Sequence, residues 1–287
     1  MEITQPTDDG QAALWNGAAG RAWVEAQEEL DRMFKPFENL LATAASTASG
    51  GRVLDVGCGT GGTTLAIARR LGDGGHCTGI DISEPMIAAA RVRAESELVP
   101  ASFILADAQV HAFEPAGFDM IVSRFGVMFF EDPVQAFANL RHAAKDDGEL
   151  RFIAWRSPAE NPFMTTAERA AAPLLPNIPA RRPDAPGQFA FANAQRVLNI
   201  LENSGWSGID IQPIDVSCTL PEKELVPYLS RLGPVGRVLQ EVDEGGRKEV
   251  IETVRAAFDS YVAGSAVHFV AACWMVNARA TSTPQRR

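Results

Sequence analysis

The chain has 287 residues, 46% of them hydrophobic and 22% charged, the balance of an ordinary globular protein whose length holds one elaborated α/β domain or two of about 150 residues. Thirty-six acidic against 26 basic residues leave a net charge of −10, a surface that repels phosphate backbones and anionic membrane and speaks against a nucleic-acid partner. The four cysteines, Cys58, Cys77, Cys218 and Cys273, show neither a CxxC pair nor a Cys/His ligand spacing, so no metal is expected and they read as reduced packing thiols of a cytoplasmic protein.

The first residues, MEITQPTDDGQ, lack a basic segment followed by an apolar one, so export is not expected. Residues 1–40 read as an N-terminal helical cap, with Trp15 and Trp23 of WNGAAGRAW as packing residues of a helix or as pocket neighbours. From 41 to 155, short apolar runs alternate with helical patterns. The runs are RVLDV (52–56), HCTGIDI (76–82), SFILAD (102–107), FDMIVS (118–123) and ELRFIAW (149–155). Several are continuously apolar, as strands covered by helices on both faces are, and the alternation predicts a doubly wound α/β fold with a parallel sheet. The helix opening at DPVQAFANLRHAA has Asp132 as its expected N-cap and Pro133 at its first position.

The rhythm breaks after Trp155. Residues 156–190 are proline-rich and predict a short helix near 162–172 followed by an extended loop, an insertion expected to act as a lid. The core continues over 191–220, with a helix capped by Asn193 and ended by Gly205, then the strand GIDIQPIDVSC. A helical insertion is expected over 221–263, and 264–287 should hold the last core strand and a disordered tail. The apolar stretch AVHFVAACWMV, 266–276, is too short for a bilayer and reads as a buried strand carrying His268.

The chemistry is concentrated in RVLDVGCGTGGTTLAIARRL, 52–71. Gly57, Gly59 and Gly62 satisfy the dinucleotide spacing G-x-G-x-x-G, with Asp81 where a ribose-binding acid should stand. Asp55, Gly57, Gly59 and Gly61 also spell D-x-G-x-G-x-G, and an aspartate at the end of the first strand suits a ligand carrying ammonium and sulfonium charges better than a pyrophosphate. That charge logic favours S-adenosyl-L-methionine over NAD.

VLDVGCGTGG (53–62), GIDISEPMIAAAR (79–91), ILADAQ (104–109) and FDMIVSRFGVMFFEDP (118–133), in this order, resemble the class I S-adenosylmethionine-dependent methyltransferases, and within them the ubiquinone/menaquinone-biosynthesis C-methyltransferase group. The resemblance is strong over residues 40–155. It implies a seven-stranded Rossmann-like sheet of order 3-2-1-4-5-7-6 with the last strand antiparallel, and lid insertions after strands 5 and 6. It further implies that Gly57, Cys58, Gly59 and Gly61 lie against the cofactor while Asp55 holds its amino group directly or through water. Asp81 would take the ribose hydroxyls, Ile82 and Met86 the adenine face, Asp107 and the Ala108 backbone the adenine edge, and Ser123 and Arg124 would pass the methionine portion. KDDGEL (145–150) departs from the family's Pro-Gly-Gly turn before the fifth strand.

A methyl group on sulfonium is already electrophilic, so a base is needed only for a weakly acidic acceptor. His111 is the candidate base; His268 reads as a core residue, His142 as solvated, and His76 stands at a strand entrance. Phe125, Met128, Trp155 and Phe163 are expected in an acceptor pocket, with Met164, Leu174, Leu175, Phe189, Phe191, Tyr228 and Leu232 adding apolar wall. The function this predicts is methyl transfer to an O, N or C nucleophile of a small organic molecule, with S-adenosyl-L-homocysteine as the second product. A non-catalytic S-adenosylmethionine-binding protein and an NAD-dependent dehydrogenase are the alternatives. Neither the acceptor nor the oligomeric state is legible in the residues, and no membrane insertion is expected.

Overall fold

The computed structural model describes residues 10–45, 51–182 and 184–281. Five parallel strands form its centre: β1 (Arg52–Val56), β2 (His76–Asp81), β3 (Ala101–Leu105), β4 (Phe118–Arg124) and β5 (Ala144–Trp155). Between them run α4 (Gly62–Leu71), α5 (Glu84–Glu97) and α6 (Pro133–Ala143), preceded by α1 (Gly10–Asn16), α2 (Ala18–Glu25) and α3 (Gln27–Ala45). After β5 come α7 (Pro162–Ala171), α8 (Ala194–Asn203) and β6 (Ser207–Pro221). Three more helices, α9 (Leu225–Arg231), α10 (Gly233–Val238) and α11 (Glu244–Ala256), lead to the two-residue β7 (Val262–Ala263) and to β8 (Ala266–Arg279).

The sheet order is β3-β2-β1-β4-β5-β8-β6, with β7 paired to the start of β8. This is the expected order: the final long strand is eighth only because β7 precedes it, and it runs antiparallel to both β5 and β6. β1 and β4 are buried along nearly their whole length because helices cover both faces, which is why they read as unbroken apolar runs. One face of α3, with Leu30, Met33, Phe34, Phe37 and Leu41, belongs to the same buried core as Phe137, Phe152 and Phe191.

The local predictions for helix starts hold. Asp132 Oδ1 accepts from Gln135 N at 3.0 Å, and Asn193 Oδ1 accepts from Gln195 N at 2.9 Å and Arg196 N at 3.1 Å. Several boundaries differ. α3 continues to Ala45 across the expected division at 40/41, because its apolar face is still covered there. KDDGEL is a bulge within β5 instead of a separate turn: Ala144 pairs with Phe118 and Glu149 with Met120, while Asp147 adopts φ 62° and donates its N–H to Ala280 O at 2.9 Å. The tail beyond 281 and the first nine residues lie outside the described residues.

The proline-rich segment divides in two. Its helix α7 is fastened to the sheet, since Asn161 exchanges two 2.9 Å hydrogen bonds with the backbone of Ala272 and Phe163 stacks on Phe269 with ring centroids 3.9 Å apart. The remainder, to 193, is a succession of turns held by contacts such as Gly187 N to Met128 O at 3.0 Å. Among the described residues no helix is long and apolar enough to cross a membrane.

Candidate functional site

At the carboxyl end of β1 the chain turns through three glycines in the left-handed region, Gly57, Gly59 and Gly61, at φ 66°, 55° and 85°. At Gly57 the conformation and the space both require glycine, because an added Cβ would stand 2.6 Å from the Cα of Gly126 in the loop after β4. The turn is pinned to the neighbouring strand by Gly57 N and Cys58 N, which donate to Ile80 O at 2.8 and 3.1 Å. Asp81, ending β2, accepts from Gly59 N at 2.8 Å through Oδ2 and from Ser83 N at 2.9 Å through Oδ1. Burial raises its pKa against the pull of these N–H groups.

Asp55 lies beneath the turn. Its Oδ2 accepts from Thr64 Oγ1 at 2.7 Å, whereas Oδ1 is buried without a hydrogen-bond partner. Burial pushes its pKa up to about 7 in spite of the Thr64 hydrogen bond and the positive charge of Arg124. Arg124 itself, ending β4, has its guanidinium carbon 5.8 Å from the Phe34 ring centroid and a buried Nη1 with no partner. Ser123 joins the two loops: its Oγ donates to Val56 O at 2.7 Å and accepts from Gly126 N at 3.1 Å.

These strand ends open into a cavity of about 980 Å³, the upper end of the range of small-molecule pockets and roomy enough for two ligands side by side. Gly57, Cys58, Gly59, Asp81, Ile82, Met86, Asp107, Ala108 and Arg124 line one part. Asp107 Oδ1 accepts from Gln109 N at 2.8 Å, and Asn139 Nδ2 holds the carbonyls of Ala108 and His111 at 3.0 and 2.9 Å, so this loop is stiff. Trp15, Trp23, Phe125, Met128, Trp155 and Phe163 line the cavity as well. Phe125 holds a non-glycine φ of 66° and stacks on Trp155 at 4.7 Å, a strained residue fixed by its neighbours.

Asp55, Gly61 and Ser123 are set behind the lining. A Cβ on Gly61 would meet Phe103 and Ala90, so that glycine serves helix packing. His111 is half-buried and off the cavity, edge-on to Phe113 at 4.7 Å. His268 corrects the sequence reading: it is exposed, because β8 alternates at this end and places Val267 and Phe269 inward. Of the expected apolar wall, Met164, Phe189, Tyr228 and Leu232 line the cavity. Leu174, Leu175 and Phe191 do not; Phe191 is core, 6.1 Å from the rings of both Phe137 and Phe152.

Sequence reasoning missed the contribution of α3. Asp31 lines the cavity and its carboxylate lies at the start of α4, where a Cβ on Gly62 would stand 2.7 Å from Oδ1. It pairs with Arg93 of α5 at 2.8 Å, and Arg93 also donates to Thr60 O in the glycine turn at 2.7 Å. Phe34, one turn further along α3, adds an aromatic wall. α1 and α2 close the same side: Ser83 Oγ donates to Trp15 O at 2.7 Å, and Asn16 takes Glu84 N at 2.8 Å while donating to Ile82 O at 3.0 Å. The only sequence signal for this docking was the small residue Gly20, where a Cβ would collide with Trp15 O.

Residues 53–148 match the family model described as a methyltransferase domain. Aklanonic acid methyltransferase DauC of Streptomyces sp. (strain C5) is 31% identical over 137 residues, 46% of this chain and 62% of its own. Nocamycin O-methyltransferase of Saccharothrix syringae is 34% identical over 118 residues, covering 41% and 42%. The ubiquinone/menaquinone biosynthesis C-methyltransferase UbiE of Burkholderia thailandensis is 32% identical over 124 residues, covering 43% and 50%. The matched part thus spans between 42% and 62% of these relatives' lengths. Among solved structures, the YcgJ protein of Bacillus subtilis shares the fold with a TM-score of 0.56 at 17% identity, over 85% of this chain and 98% of that one. Phosphoethanolamine N-methyltransferase 2 of Haemonchus contortus, in complex with S-adenosyl-L-methionine, shares it with 0.52 at 18%, over 85% and 53%. Over residues 53–148 the chain is thus similar to methyltransferase domains, and the curated relatives it matches are methyltransferases.

Proposed function

We propose that the chain transfers the methyl group of S-adenosyl-L-methionine to an oxygen, nitrogen or carbon nucleophile of a small organic acceptor by in-line displacement. The observation that carries the choice of cofactor is the Asp31 carboxylate at the start of α4. A dinucleotide lays its pyrophosphate against that helix end, and here the place is filled by the Asp31 side chain in its ion pair with Arg93. A ligand with ammonium and sulfonium charges meets instead the carboxylates of Asp55 and Asp81, which have no ion pair among the described residues.

The residues fit such a ligand. Each oxygen of Asp81 spends one acceptor position on a backbone N–H and keeps capacity for a ribose hydroxyl. The unpartnered Oδ1 of Asp55 answers to the amino group through an intervening water, and the unpartnered Nη1 of Arg124 answers to the carboxylate. Ile82 and Met86 border the adenine, with Asp107 and the Ala108 backbone at its edge. Cys58, Gly57 and Gly59 form the floor, and Gly61 and Ser123 hold that floor in shape.

When bound, the donor supplies an electrophilic methyl group on sulfur. The protein's part is alignment, worth several kcal/mol, on the order of what fixed placement contributes in oriented reactions. Phe125, Trp155, Trp23, Met128 and Phe163 exclude water and hold the acceptor's body. The segments 156–190 and 221–263 close over the acceptor, and two of the matched relatives are named for methyl transfer to small organic molecules. Calorimetric titration with S-adenosylhomocysteine and with NAD tests the proposal. S-adenosylhomocysteine is expected to bind; micromolar NAD binding with no S-adenosylhomocysteine binding overturns it.

A further inference from the structure

The inserted segments bring to the cavity Tyr228, four arginines, the amide Gln188 and two ion-paired carboxylates, with no free base among them. Tyr228 of α9 faces the cavity, 6.4 Å from the Phe163 ring, and its hydroxyl finds only the Met164 sulfur, 3.8 Å away. A thioether is a weak acceptor, and an enclosed tyrosine ordinarily gives its O–H to a stronger one. Burial pushes the phenol up to about 12, so it stays protonated and able to donate.

The carboxylates on this side are spent. Glu168 accepts from Nε and Nη2 of Arg181, and Asp184 pairs with Arg196 at 3.2 Å. Arg182, Arg231 and Arg237, exposed at the rim, also border the wall, and their guanidinium groups have no ion pair or hydrogen bond among the described residues. No histidine or lysine lines the cavity. In a chain of net charge −10, the four arginines against two carboxylates that the inserted segments bring to this apolar, aromatic hollow are a local reversal of sign.

A wall on which charged donors outnumber carboxylates is complementary to an anionic ligand. Building on the methyl transfer proposed above, we infer that the acceptor is a ring-bearing organic acid, ionised at neutral pH, whose anionic group takes the Tyr228 O–H and whose entry is favoured by Arg231 and Arg237. Transfer to such an acceptor balances without a base. A lone pair of the anionic oxygen forms the O–C bond as the C–S bond of the methylsulfonium donor breaks. That bond's electrons remain on sulfur, the two opposite charges cancel, and no proton leaves. A neutral alcohol or an ammonium ion would first have to give up a proton, and the inserted segments bring no histidine, lysine or unpaired carboxylate to take it.

The test uses the full chain saturated with S-adenosylhomocysteine and three probes of one shape: 2-naphthoate, 2-naphthamide and 2-naphthylmethylamine. Calorimetry should show naphthoate binding at least about tenfold tighter than the amide, the size of one charge-assisted hydrogen bond, with the amine weakest. Tyr228→Phe should weaken naphthoate about 3- to 10-fold and the amide, a weaker acceptor, by less, leaving S-adenosylhomocysteine affinity and melting temperature unchanged. Arg231→Met with Arg237→Met should weaken naphthoate and flatten its salt dependence. With labelled methyl donor, label should enter the acid and not the amine. Equal binding of acid and amide, a preference for the amine, labelled amine product, or no naphthoate binding at about 1 mM overturns the inference. Failure of S-adenosylhomocysteine itself to bind would overturn the proposed function instead, which separates the two.

Discussion

Asp31 and Arg93 are joined by a 2.8 Å ion pair that carries α3 across the glycine turn to α5. Both side chains are about one-fifth exposed, so the pair is better shielded than a surface bridge, and Arg93 adds a 2.7 Å hydrogen bond to Thr60 O. The pair therefore fastens the N-terminal helices to the glycine turn that borders the cavity. Arg93→Met should lower stability by about 1–2 kcal/mol, the cost of a partly buried charged contact, and weaken S-adenosylhomocysteine several-fold. Denaturant unfolding and calorimetry check both; unchanged cofactor affinity would show that the clasp serves packing alone.

Asp81 is the side chain proposed to accept from the ribose hydroxyls. Asp81→Ala should cost about 1.5–3 kcal/mol in S-adenosylhomocysteine binding, the range for hydrogen bonds to a charged group. Unaltered affinity in a folded variant would assign the carboxylate solely to holding Gly59 N and Ser83 N.

Asp55 predicts a pH dependence. Its pKa is near 7 in the fold and near 3.8 when exposed, so the folded chain holds an extra proton between these values. Free-protein stability should then fall as pH rises from about 4 to about 7 and level off above. A ligand ammonium prefers the ionised carboxylate, so S-adenosylhomocysteine should bind about tenfold more weakly at pH 6 than at pH 8, following one proton per site. Asp55→Asn should abolish both slopes; a slope that survives would belong to another group, with Asp81 the nearest candidate.

The segment after α7 should be separable from the cofactor site. Replacing residues 176–186 by a short flexible linker leaves Asn161, Phe163 and their contacts to β8 in place. S-adenosylhomocysteine affinity should stay within threefold, about 0.7 kcal/mol, while turnover of an identified acceptor falls. Full turnover would show that this stretch is no cover, and selective loss of cofactor binding would move it to the adenosine side.

The local features of this protein were written in its residues. Apolar runs of the right length marked β1 to β5, Asp132 and Asn193 marked two helix starts, and the spaced glycines with Asp81 marked the turn that borders the cavity. Each of these depends on neighbours a few positions away or on a rule of connection between adjacent strands, so periodicity, capping chemistry and motif order were sufficient. What only the tertiary structure decided is which distant surfaces meet. Asp31 looked like any acid on an amphipathic helix until α3 was laid across α4. Phe191 and Phe189 are two positions apart, yet one is core and the other lines the cavity. His268 turned outward because the pairing of β8 set which face each residue takes. Tyr228, in a segment with little local signature, acquires its unsatisfied hydroxyl only from what α7 places beside it. Burial and partner are properties of the packed chain, and a one-dimensional pattern does not carry them.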